Sequence, residues 1–110
     1  MLFEYDKMPE NVIPNFKGGE KEAFTKMYWD GRNRIFQGRL VPGASIGLHT
    51  HETDCEIVYV ISGTGIVIMD GVTEELRPGV CHYCPQGHAH TMINNGTDED
   101  LLIFAVVPRQ

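Results

Sequence analysis

From Ala23 onward the chain breaks into short stretches rich in Val, Ile, Tyr and Phe, and a turn dipeptide interrupts them every eight to twelve residues. That punctuation leaves no room for helices of ordinary length and calls for an all-β sandwich or barrel. Asp30-Gly31 parts AFTKMYW from RIFQGRLV, and Asp70-Gly71 parts GIVIM from VTEEL. An Asp-Gly pair readily takes the positive φ angles of a type I′ hairpin. SGTG, Ser62 to Gly65, reads as a turn of the same kind between EIVYVI and GIVIM, and NNGTDED precedes the last strand, LLIFAVV. The count is eight or nine strands of four to eight residues, a number that suits two facing sheets or a closed barrel. Residues 1–22 carry Pro9, Pro14 and the Gly18-Gly19 pair among charged residues without clear periodicity. They are expected to form an irregular arm of the same domain as the barrel of residues 23–110, placed to cover a sheet edge, its own or a partner's.

A chain of 110 residues supports one core and therefore one domain. No apolar run is long enough to span a bilayer as a helix. The amino terminus, MLFEYDKMPE, has acidic residues where a signal peptide carries basic ones, so a cytoplasmic location is expected. With a net charge of −6 and nine scattered Lys and Arg, there is no basic stripe to neutralise phosphates, which argues against nucleic acid as a partner. Cys55, Cys81 and Cys84 are an odd number in a short chain, which argues against a disulfide framework and for a reducing compartment.

All five histidines fall between positions 49 and 90. His49 and His51 lie two apart, so on a strand their rings share a face, with Cα atoms roughly 6.5 to 7 Å apart, while Thr50 faces away. Glu56 comes five residues after His51, and that odd separation would send it to the opposite face of an unbroken strand. A turn must therefore intervene. Glu52 to Asp54, ETD, has the polar composition of one, and EIVYVI is expected to run back beside the histidine strand with Glu56 near its start. Three metal-competent groups then converge.

Two longer patterns enclose these residues. Gly43 to Gly63 reads glycine, five residues, His-x-His, four residues, Glu, six residues, glycine; Gly79 to Asn94 reads glycine, five residues, Pro-x-Gly, two residues, His, three residues, Asn. Both resemble the paired motifs of the cupin family at every position, in the right order, over roughly half the chain. The resemblance implies a double-stranded β-helix, or jelly-roll, barrel. It also implies that His49, His51, Glu56 and His90 bind one metal ion inside it, His90 entering through the family pattern alone. Three neutral imidazoles and a carboxylate suit a divalent ion such as Mn, Fe, Co, Ni, Cu or Zn and leave two positions of an octahedral ion open. Some members of the family keep the fold without metal, and the same four residues would then be satisfied polar groups.

Other residues carry weaker signals. Cys81 and Cys84, three apart on a strand, face opposite sides without a second pair, and are expected to be small buried fillers. His82 stands where many cupins carry an inward apolar residue; it is either a neutral core histidine bonded to a neighbour or a proton carrier beside the pocket. His88, two before His90, is either at the surface or in contact with substrate. Arg39, Tyr59 and Trp29 have the chemistry to meet an anionic or flat ligand, although such an arginine more often lies on a solvated face and such aromatics in the core. The functional expectation is a metal-binding barrel that takes a small polar or anionic ligand. Metal-dependent oxygenation, decarboxylation or isomerisation are the reaction classes in view, with His82 or His88 as proton carriers. The competing expectation is a non-catalytic binding or sensing barrel in which metal or ligand is structural. A homodimer is expected in either case, because a small barrel gains buried area by pairing across a two-fold axis.

Overall fold

A computed structural model describes all 110 residues. Ten strands alternate with short turns: β1 (Asn11–Pro14), β2 (Glu22–Trp29), β3 (Asn33–Leu40), β4 (Ser45–Thr50), β5 (Glu56–Ser62), β6 (Gly65–Met69), β7 (Val72–Leu76), β8 (Cys81–Cys84), β9 (Ala89–Ile93) and β10 (Leu101–Pro108). They form two antiparallel sheets, one of six strands in the order β1-β2-β3-β10-β5-β8 and one of four in the order β4-β9-β6-β7. The sheets face one another as a jelly-roll barrel, and no helix is long and apolar enough to cross a membrane. Strict alternation drives the closure. Along β10, Leu101, Ile103, Ala105 and Val107 are buried while the residues between them are not, and Val58, Val67 and Met92 meet them from other strands. Burial of each such aliphatic side chain contributes about 1.5–3 kcal/mol.

Several turn expectations are refined. Asp70 and Gly71 have φ of 51° and 80° and join β6 to β7 as the two-residue hairpin expected. Asp30-Gly31 does not make that turn: only Gly31 has positive φ, and the Asp30 carboxylate accepts hydrogen bonds from the Arg32 and Asn33 amides, closing a three-residue loop. SGTG is not a hairpin either. It carries the chain from β5 in the six-stranded sheet to β6 in the four-stranded one. The arm is only partly irregular, since β1 pairs with β2 and covers the edge of its own sheet. Phe3 packs on Tyr28 at 4.8 Å between ring centroids, and Arg39 ties Glu10 to Asp100 at 2.8 Å each.

The feature that positions the site is a bulge in β4. Ile46 pairs with Met92 and His49 with His90, so three steps along β4 match two along β9. Without the extra residue, Ile46 and His49 would face opposite sides; with it, Ile46 enters the core and His49 also points inward. A 3-10 turn at Phe16–Gly18 lies against the bulge so closely that a Cβ on Gly47 would sit 2.1 Å from the Lys17 carbonyl oxygen. Gly47→Ala is therefore expected to destabilise the protein by about 2–4 kcal/mol. Differential scanning calorimetry should show the midpoint fall by roughly 10 °C or more; a wild-type midpoint would show that this approach is not tight.

Candidate metal centre

The turn after His51 works differently from the sequence expectation. β5 does not run back beside β4. It lies in the opposite sheet, so Glu56 reaches the histidines across the barrel interior while His49 and His90 stand opposite one another on β4 and β9. The single donor atoms offered by His49, His51, Glu56 and His90 all lie within 4.8 Å of one another. Nε2 of His90 is 3.0 Å from Nε2 of His51, 3.2 Å from Nε2 of His49 and 3.0 Å from Oε1 of Glu56. Ligands bound to one first-row ion at about 2.1 Å and at right angles stand about 3 Å apart, so the spacing fits a common centre.

Each imidazole is held from behind. His49 Nδ1 donates to the Gly47 carbonyl at 2.7 Å, and His51 Nδ1 donates to Asp54 Oδ1 at 2.5 Å. Neither partner offers a proton in return, so in the neutral rings Nδ1 carries the hydrogen and Nε2 presents a lone pair inward. His90 Nδ1 lies 2.9 Å from Nε2 of His82, which accepts from it when His90 presents Nε2 in the same way. Three inward lone pairs and a carboxylate in a buried space require a cation, either a proton or a metal ion.

The ionisation of the group reflects this. Burial alone would raise the Glu56 carboxyl, but in the metal-free centre, where a proton takes the cation's place, inward Nε2–H groups of His51 and His90 donate to it and pull it down to about 2. The Glu56 hydrogen bond raises His51 above its ordinary value, while burial lowers His49 and His82.

His49, His51 and Glu56 line a cavity of about 240 Å³, with His90 buried beside them. Phe36, Ile46 and Val107 give it an apolar wall; Lys17 and Arg34 bring positive charge, and Glu52 and Asp54 negative charge, to its rim. Of the candidate proton carriers, neither lines this cavity. His82 is buried behind His90. The His88 ring engages Asp70 at 2.5 Å near the surface, and only its backbone serves the site, the carbonyl accepting from the His51 amide at 3.0 Å.

Residues 36–107 match the family model described as Cupin domain. The chain belongs to the cupin family. Its curated relatives include a Thermotoga maritima protein named "Oxalate-binding protein", 32% identical over 97% of this chain and 93% of that one. Another, "Polyketide synthase CurC" of Streptomyces cyaneus, is 31% identical over 94% of this chain and 73% of its own. Among solved structures, a Thermotoga maritima protein named as a predicted oxalate decarboxylase superposes with a TM-score of 0.93 at 27% identity, each chain covered completely.

Sequence reasoning missed Asp54, Lys17, Arg34 and the Gly47 carbonyl. Asp54 carried a signal, a carboxylate just across the turn from a ligand-competent histidine; the others meet the site only through the fold. Three expectations are corrected. Cys81 is exposed on the outer face of β8, where strand parity sends it, while Cys55 and Cys84 are buried. Burial pushes the Cys84 thiol up to about 11, so it stays protonated. Trp29 and Tyr59 are not in the core, being 61% and 46% exposed, and Arg39 serves the arm.

Proposed function

We propose that this cupin holds one divalent first-row metal ion through His49, His51, Glu56 and His90 and takes a small carboxylate anion in the adjoining cavity. The observation that carries the reading is the inward convergence of three Nε2 lone pairs and a carboxylate, each imidazole oriented by its own outer partner. When bound, the ion would supply Lewis acidity for decarboxylation or isomerisation, or a centre that activates dioxygen for oxygenation. The chain's own residues do the rest. Lys17 and Arg34 attract the anion, the apolar wall excludes water around it, and Asp54, Gly47 and His82 keep the ligand rings from turning. The relatives named for oxalate support a small carboxylate as the ligand class. In Co(II)-reconstituted protein, oxalate is expected to shift the visible absorption bands saturably. A spectrum indifferent to oxalate and to other small oxo-acids would overturn the ligand reading.

A binding barrel without turnover is the second reading, favoured by the position of His82 and His88 outside the cavity. Product analysis after prolonged incubation separates the two. We also propose a homodimer through the outer face of the six-stranded sheet. There Ile57, Tyr59 and Ile61 of β5 and Tyr83 of β8 are exposed, and Phe104 of β10 lies beside Tyr59. Two chains of charge −6 repel at charged surfaces and meet most readily through an uncharged one. Light scattering should show a dimer that Tyr59→Glu converts to monomer; a wild-type monomer at micromolar concentration would remove the assembly.

A further inference from the structure

Beside the metal cavity lies a second basin, of about 210 Å³, at the end of the β2–β3 hairpin. Arg34, Thr53, Asp54 and Val107 line both, so the two are contiguous. Three of the five arginines in the chain, Arg32, Arg34 and Arg109, surround this basin, although the protein as a whole is strongly acidic. The backbone brings them together: the Arg109 amide donates to the Arg32 carbonyl at 2.8 Å, and Arg34 pairs with Val107 across β3 and β10. None of the three forms an ion pair. The nearby carboxylates are already engaged, Asp30 by the backbone of its own hairpin and Asp54 by His51. The Arg34 guanidinium lies 5.5 Å from the ring centroid of Trp29, which adds a flat, largely exposed wall.

Unpaired guanidinium groups clustered on one side of a metal cavity have the chemistry of an oxyanion clamp, since each presents planar paired donors that match a carboxylate. From this juxtaposition we propose a second anionic subsite: Arg32, Arg34 and Arg109 receive the distal carboxylate of a ligand whose other end, an oxo-acid head, occupies the metal cavity. The inference rests on the ligand reading above and narrows it from a small carboxylate to an elongated dicarboxylate, with Trp29 packing along the chain between the heads. Arg34 borders both sites, whereas Arg32 and Arg109 line only the distal one.

Calorimetry on Co(II)-loaded protein with 2-oxo acids of five to eight carbons tests this, each ω-carboxylate compared with the ω-methyl acid of the same length. At one chain length or more, the ω-carboxylate is expected to bind at least about tenfold tighter and to change the emission of Trp29, the only tryptophan. In the double variant Arg32→Gln/Arg109→Gln that preference should fall below about twofold, with ω-methyl binding held within about twofold of wild type. Both side chains are exposed, so the variant retains the fold. Absence of a preference at every length, or its survival in the double variant, overturns the second subsite while leaving the metal-cavity reading intact. If neither the ω-methyl acids nor the ω-carboxylates bind at any length, the ligand reading itself fails and the subsite with it.

Discussion

Glu56→Gln is expected to lower divalent-metal affinity by at least about 100-fold without unfolding the metal-free protein. Outer partners of metal-bound histidines alone are worth about 10- to 100-fold, and in the proposed centre Glu56 would supply the single charged donor directly. The amide retains the shape of the side chain at a position that is only 7% exposed, so neighbouring contacts survive. Its charge does not survive, and three neutral imidazoles must then carry the ion without a counter-charge. Competition against a chromophoric chelator measures the loss. Affinity within about threefold of wild type would show that Glu56 is not a ligand.

Metal affinity should also climb steeply with pH, because a proton and a metal ion compete for one place. In the metal-free protein, Glu56 is held at about 2, below its ordinary 4.5, by hydrogen bonds that overcome its burial. Its contribution to stability is therefore fully present above pH 4.5 and is lost as pH falls toward 2, with a size on the order of 3 kcal/mol. His51 has the opposite sign. Raised above 6.5 chiefly by the Glu56 hydrogen bond, it contributes fully below pH 6.5 and loses that contribution as pH rises through its folded value. Both shifts describe one ion pair, so the metal-free protein is expected to be most stable between about pH 4.5 and 6.5 as far as this pair is concerned. A metal ion must displace the His51 proton, whereas burial favours the neutral form of His49. Affinity should therefore rise about tenfold per pH unit below the folded His51 value and flatten above it. Thermal midpoints recorded from pH 4 to 9 should peak at higher pH with metal than without, and Glu56→Gln should flatten the metal-free profile. Coincident peaks would contradict the competition.

Much of this centre was legible because its spacing is local. His49 and His51 share a face by simple alternation, and the odd step to Glu56 demands a turn that the ETD stretch supplies. What alternation could not reveal was the bulge at Gly47 and Leu48, since an extra residue leaves no mark in a hydrophobic pattern. Nor did it show that β5 crosses to the other sheet: a polar turn looks alike whether it closes a hairpin or bridges two sheets. Cys81 was misjudged through residue type, because cysteine is usually buried, although its parity with exposed Tyr83 already pointed outward. Arg32, Arg34 and Arg109 were invisible as a group, being joined only when β10 returns beside β3.

The most direct measurement is the metal content of tag-free protein purified without chelator, combined with anomalous scattering at the absorption edge of whatever ion is found. About one equivalent of a first-row divalent ion per chain is expected, as purified or after reconstitution. Its anomalous peak should fall among the Nε2 atoms of His49, His51 and His90 and the Glu56 carboxylate. A protein that takes up no stoichiometric metal under either condition, or a peak placed elsewhere, would contradict it.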